Sequence, residues 1–261
     1  MAPQSHRRAD VSRSVEVAND PAHPGAIRIT LGDVQNANAL APELVAQLDE
    51  AVQAACSETT RAIVLQSSGT RFCAGFGLGD IDRVDDATLA VRFTAIETML
   101  ERVRRAPALT IAVVNGVAMG AGADLVAACD YRIGTERARL GFPGSRFGVI
   151  LGTRHLAGLI GGQQARETLI EGKILDANAA RASGLLSELC EPESLEARID
   201  EILARALEFD AATLRTLLRL TRQPASSSDM EELQRSTARK GLAERMRAHT
   251  RKVLPAKAKE S

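Results

Sequence analysis

Two glycine-rich segments, each entered directly from a short apolar run, constrain this chain more than any other feature. Arg61-Ala62-Ile63-Val64-Leu65-Gln66 leads into residues 67–79, which contain Arg71-Phe72-Cys73-Ala74-Gly75-Phe76-Gly77-Leu78. Thr110-Ile111-Ala112-Val113-Val114 leads into residues 115–122, Asn115-Gly116-Val117-Ala118-Met119-Gly120-Ala121-Gly122. Short apolar runs bounded by polar residues and glycine predict buried strands. Small residues after such strands let a ligand approach the backbone closely and leave N–H groups free to point at it. In the second segment those N–H groups also fall near a predicted helix start, where the dipole favours negative charge. Side by side, two such loops make convergent donors for a developing oxyanion.

A single loop of this kind is more often a tight turn than a site. A dinucleotide site needs a third glycine where Leu125 stands after Gly120-x-Gly122, and neither loop ends in the Gly-Lys-Ser/Thr of a phosphate-binding loop. Charge is balanced, 33 basic against 33 acidic residues, so no overall field draws in nucleic acid or an anionic membrane. Cys56, Cys73, Cys129 and Cys190 form no CxxC pair, which suits reduced thiols in a cytoplasmic protein. The histidines show no metal-ligand spacing, so no metal is expected. No apolar run approaches the ~20 residues of a membrane helix. With 45% hydrophobic but only 3% aromatic residues, the core must rest on Ala, Leu, Val and Ile.

Around the two loops the pattern is mixed α/β. Residues 26–31 alternate as a strand, and Pro42 opens a helix with Leu44, Leu48, Val52 and Ala55 on one face. Residues 86–105 read as a long amphipathic helix with Phe93, Ile96, Leu100 and Val103 inward, closed by Pro107. A helix is predicted over 124–129, and short strands over 131–134, 139–142 and 185–189. Asp176 is a predicted N-cap, Gly184 a helix stop, and Pro192 opens a helix to about Leu207. Residues 223–228 read as a linker before one last charged helix with Met230, Leu233, Leu242 and Met246 as its contacts. That helix is too poor in apolar positions to stand alone and must dock on a larger surface. Residues 1–14 read as a frayed arm with no apolar signal segment, and the Lys/Ala-rich stretch after Pro255 as a tail.

Four ordered segments resemble the enoyl-CoA hydratase/isomerase (crotonase) superfamily. They are Asn38-Ala39-Leu40, the run from Arg61 to Leu78 with its Phe-Cys-Ala-Gly, Asn115-Gly116 to Gly120-Ala121-Gly122-Ala123-Asp124, and Gly152-Thr153-Arg154-His155-Leu156 to Leu159-Ile160-Gly161. The resemblance implies a crotonase-like spiral of ββα units over residues 15–195, followed by a helical capping and trimerisation region over 196–261. It implies an acyl-CoA substrate, no separate cofactor, no nucleic-acid or membrane partner, and a homotrimer or homohexamer. By the same resemblance the N–H groups of Phe76 and Ala121 form the oxyanion hole. Gln35, Asn36, Ala37, Ala39, Ala74, Gly75, Gly77, Leu78 and Gly120 would hold the CoA thioester, mostly through the backbone.

Hydratases of that family use two glutamates. Here the first position is Asp124 and the second maps to Gly144, in Gly141-Phe142-Pro143-Gly144, where no carboxylate exists. The 148–152 loop is also shorter than theirs. A lone carboxylate can still relocate one proton, as an isomerase requires. Aspartate reaches ~1.5 Å less far than glutamate. In a first helical turn it also gains ~0.3–1 kcal/mol from the dipole with no chemistry at all. Burial should raise its pKa and the helix N-terminus should lower it. Asp80, Arg146 and His155 are further candidates near the acyl group, and surface or packing roles suit the last two as well. The alternatives to an enolate-stabilising hydratase/isomerase are a non-catalytic acyl-CoA binder, a thioester hydrolase or decarboxylase of the same superfamily, and a nicotinamide-dependent oxidoreductase.

Overall fold

The computed structural model describes residues 14–222 and 227–253. The expected arm apart from Ser14, residues 223–226 of the expected linker, and the tail lie outside them. The chain begins with a hairpin of β1 (Val15–Asn19) and β2 (Ala26–Leu31), then α1 (Pro42–Ala55). Three strand–strand–helix units follow: β3 (Ala62–Ser67), β4 (Arg71–Cys73) and α2 (Asp86–Arg104); β5 (Leu109–Val114), β6 (Val117–Met119) and α3 (Ala121–Ala127); β7 (Tyr131–Gly134), β8 (Arg139–Gly141) and α4 (Thr153–Ile160). The chain continues through α5 (Gly162–Glu171), β9 (Ile174–Asp176), α6 (Ala177–Ser183), β10 (Glu188–Leu189), α7 (Leu195–Leu207), α8 (Ala211–Thr221), α9 (Ser227–Thr237) and α10 (Leu242–Val253).

Each unit places its first strand in one sheet and its second in another, so the chain winds as a spiral. The larger sheet has six strands in the order β1-β2-β3-β5-β7-β10, and the smaller has four, β4-β6-β8-β9. Only the outer pairs β1–β2 and β8–β9 are antiparallel. The central strands are buried on both faces, which is why they read as unbroken apolar runs. Ile63, Leu65, Ala112 and Val114 point into the core shared with α1, α2 and α3. Val64, Ile111, Val113 and Ile133 point the other way, onto Ile199, Leu203, Leu214 and Leu218 of α7 and α8.

Several expectations need correcting. Both glycine segments contain a short strand, β4 and β6, that the glycines masked. The helix expected at 124–129 starts earlier, at Ala121, and the strand expected at 185–189 is only Glu188–Leu189. The single final helix is two, and Ser227 and Ser228 of the expected linker begin α9. These helices find their apolar surface within the chain: Leu233, Leu242 and Met246 pack on Ile81, Val84, Leu89, Phe93 and Val149. Among the described residues no helix is long and apolar enough to cross a membrane.

Candidate active site

The two glycine loops meet where β4 and β6 run side by side. Gly75 makes the meeting possible. Its φ is +85°, and a Cβ there would stand 2.2 Å from the Met119 carbonyl oxygen and 3.3 Å from the Ala121 nitrogen. That proximity brings the backbone around Phe76 and that around Ala121 together. Neither the Phe76 N–H nor the Ala121 N–H has an acceptor among the described residues, since Ala121 opens α3 and the backbone bridge to Leu40 uses Gly75 and Gly77 instead.

The 34–41 turn is stitched to the first loop. Leu40 N–H donates to Gly75 O (2.7 Å), Gly77 N–H to Leu40 O (3.2 Å) and Ala74 N–H to Ala37 O (2.9 Å). Asn38 pins the same junction from the interior. Its φ is +52°, and its Nδ2 donates to Ser67 Oγ (2.8 Å) and Phe72 O (3.0 Å). Of the expected CoA-contacting residues, Ala37, Ala39, Ala74, Gly75, Gly77, Leu78 and Gly120 are brought together around this junction, with exposed Gln35 and Asn36 on its rim.

Asp124 lies on α3 just past those N–H groups, only 5% exposed. A Cβ on Gly152 would stand 2.2 Å from Asp124 Oδ1, so the short 148–152 loop closes directly over the carboxyl. Burial pushes the carboxyl well above its ordinary range, the Glu97 charge pushes the same way, and Arg104 opposes both. Pro143, the neighbour of Gly144, lies 3.9 Å from the Cβ position of Gly120, at the second glycine loop.

Glu97 was not anticipated. It lies on the inward face of α2, one turn beyond Phe93, and is 2% exposed. Arg104 donates to its Oε1, while Oε2 is buried with no hydrogen-bond partner among the described residues. Burial pushes its carboxyl up to about 7 against the pull of Arg104. The signal available in the sequence was a glutamate four residues after Phe93 on a stripe of otherwise apolar side chains.

The other candidates serve elsewhere. Asp80 accepts from both guanidinium nitrogens of Arg92 (2.8 and 2.5 Å), which holds its carboxyl low. Arg146 is exposed, with its guanidinium against Gly172. His155 donates from Nε2 to Ala127 O (2.5 Å) at the far end of α3, and burial depresses its pKa. Cys73 is buried core, its thiol pushed up to about 12 by burial. The side of the loop junction that faces α2 is apolar. Phe76 stacks on Phe93 with centroids 4.5 Å apart, beside Leu78, Val149, Leu151 and Met230. A cleft of about 980 Å³ lined by Glu101, Arg104, Cys129 and His155 lies at the opposite end of α3 and touches neither loop.

A spiral of strand–strand–helix units with two glycine loops facing each other across its sheets defines the crotonase class of fold. A family model for enoyl-CoA hydratase/isomerase matches residues 22–255. YngF of Bacillus subtilis (strain 168), whose name assigns it provisionally to the enoyl-CoA hydratases/isomerases, is 32% identical over 181 residues, 67% of this chain and 70% of that protein. A crystal structure from Bordetella parapertussis, assigned provisionally to the same group, superposes with a TM-score of 0.87 at 34% identity, over 91% of this chain and 98% of that one. The enoyl-CoA hydratase of Bacillus halodurans superposes at 0.80 with 25% identity, over 90% and 100%. The chain therefore belongs to the enoyl-CoA hydratase/isomerase family and is an enzyme of that family.

Proposed function

We propose that the chain binds an acyl-CoA thioester across the paired loops and moves one proton along its acyl chain, as an enoyl-CoA isomerase. The observation that supports this reading is the close approach at Gly75, which brings the loops carrying Phe76 and Ala121 together, with Asp124 on the helix that Ala121 opens. The thioester oxygen accepts from the N–H groups of Phe76 and Ala121. Asp124 takes a proton from C2 of a 3-enoyl thioester, the negative charge collects on that oxygen, and Asp124 returns the proton at C4. The double bond thereby moves into conjugation, with no net gain or loss of atoms.

Hydration needs a second group to activate water, and Gly144 supplies none. Phe76, Phe93 and Val149 suit an apolar acyl chain. Gln35 to Ala39 and Ala74 to Leu78 would hold the CoA portion, mainly by backbone contact. The test sets a 3-enoyl-CoA beside crotonyl-CoA, with acyl-CoA affinity measured by calorimetry. Isomerisation well above hydration supports the reading. Binding without turnover of any thioester would instead favour a non-catalytic binder, and no binding at millimolar ligand would sink both.

A further inference from the structure

We infer that Glu97 is a positioning residue for this site, a second carboxyl that pairs with Asp124 from behind and governs where the site's proton resides. The inference rests on the proposed role of Asp124 for its catalytic meaning, but the pairing itself can be tested separately.

Three observations place Glu97 there. Phe93, Glu97 and Arg104 lie on one stripe of α2, at i, i+4 and i+11, so the stripe runs from the apolar side of the loop junction inward to the far cleft. Phe93 stacks on Phe76, whose N–H faces the thioester oxygen in the reading above. Glu97 is about 6 Å further along the helix axis. α2 and α3 pack together, and Asp124 is near enough to feel the Glu97 charge. Finally, Glu97 Oε2 is buried with no hydrogen-bond partner among the described residues, which a carboxylate serving only as an anchor for Arg104 would not require.

The surrounding charges fix the order of events. On α2 the pair faces Arg104 and Glu101, and from α9 it feels Asp229. His155 of α4 is held towards its neutral form by burial. α1 meets α2 through Asp49 and Arg102, and α10 through the Asp86 carboxylate, each pair satisfied within itself. Arg104 contacts Glu97 and not Asp124, so Glu97 ionises first and its charge then raises the proton affinity of Asp124. The result is a stronger base than a lone aspartate at the same place.

Two measurements test this. In the first, the chain is labelled with ¹³C at Asp and Glu carboxyls, Asp124 is assigned by its loss in Asp124→Asn, and both carboxyls are followed by NMR. In the wild-type chain the Asp124 signal should move in two steps, the first coinciding with Glu97. In Glu97→Gln its midpoint should fall by roughly one pH unit or more. A one-step titration of Asp124 in the wild type overturns the pairing, even where Glu97→Gln fails to fold. The second measurement is the pH profile of kcat/KM on a 3-enoyl-CoA. Glu97→Gln should shift its rising limb to lower pH with acyl-CoA affinity unchanged. A limb that stays in place while Asp124→Asn is inactive overturns the inference and leaves the proposed function standing. Full activity of Asp124→Asn defeats the proposed function instead, with the NMR result still deciding whether the carboxyls are paired.

Discussion

Replacing Gly75 by alanine removes no functional atom, yet it should cost most of the catalysis. The new Cβ would stand 2.2 Å from the Met119 carbonyl oxygen, a backbone atom that cannot swing aside. Ordinary carbon–oxygen contact begins near ~3.2 Å, so the two loops must part by about 1 Å. A donor N–H works at ~2.7–3.1 Å from the oxyanion, so that displacement takes one donor out of hydrogen-bonding range. Loss of one such donor lowers kcat by roughly 10²–10³-fold, or about 2.7–4 kcal/mol. The φ of +85° adds strain of order 1–3 kcal/mol to the folded state, worth a few °C in Tm. The assay is isomerisation of a 3-enoyl-CoA alongside thermal unfolding, with Gly79→Ala as the control, since nothing lies within 4 Å of its Cβ position. Wild-type kcat in Gly75→Ala would refute the claim that the loop approach builds the donor pair.

Other outcomes follow from the same geometry. Gly144→Glu should raise hydration of crotonyl-CoA, because the Cβ it adds stands at an ordinary 3.4 Å from Val149 O; steady-state absorbance at the enoyl band measures it. Leu233→Ala should destabilise the fold by roughly 2–5 kcal/mol, read by urea unfolding, because Leu233 is 1% exposed against the site-covering cluster. Stability should depend on pH through Glu97. Its carboxyl rises from 4.5 to about 7 on folding, so its contribution is complete below 4.5 and is lost as pH climbs through about 7. Tm should fall across that window, and Glu97→Gln should flatten the fall.

The central strands were legible because they are buried on both faces, whereas their winding into a spiral was implied only by the family resemblance. Residues such as Ile63, Val64, Ile111 and Val113 leave nothing polar to interrupt the pattern. The meeting of the two loops was legible too, through the residues of the family resemblance at Gly75 and Ala121. What escaped depends on contacts remote in sequence. The break between α9 and α10 is capped by the Asp86 carboxylate, which accepts from Gly241 N–H and Ala243 N–H at 2.7 Å each, more than 150 positions away. The burial of Asp124 depends on Gly152 closing over it from a loop 28 positions away. Glu97 drew no reading from the sequence, for it falls beside the apolar stripe of an amphipathic helix. Only the packing of α2 on α3 shows it to be interior.

The central claim, that Asp124 carries the proton of an acyl-CoA enolate held by Phe76 and Ala121, is tested most directly by one comparison. Wild type and Asp124→Asn are given a 3-enoyl-CoA in deuterated water, and isomerised product and its deuterium content are read by mass spectrometry. The account predicts turnover by the wild type and a loss of ~10²–10⁴-fold in Asp124→Asn, with acyl-CoA affinity retained. An Asp124→Asn variant that isomerises at the wild-type rate would contradict it.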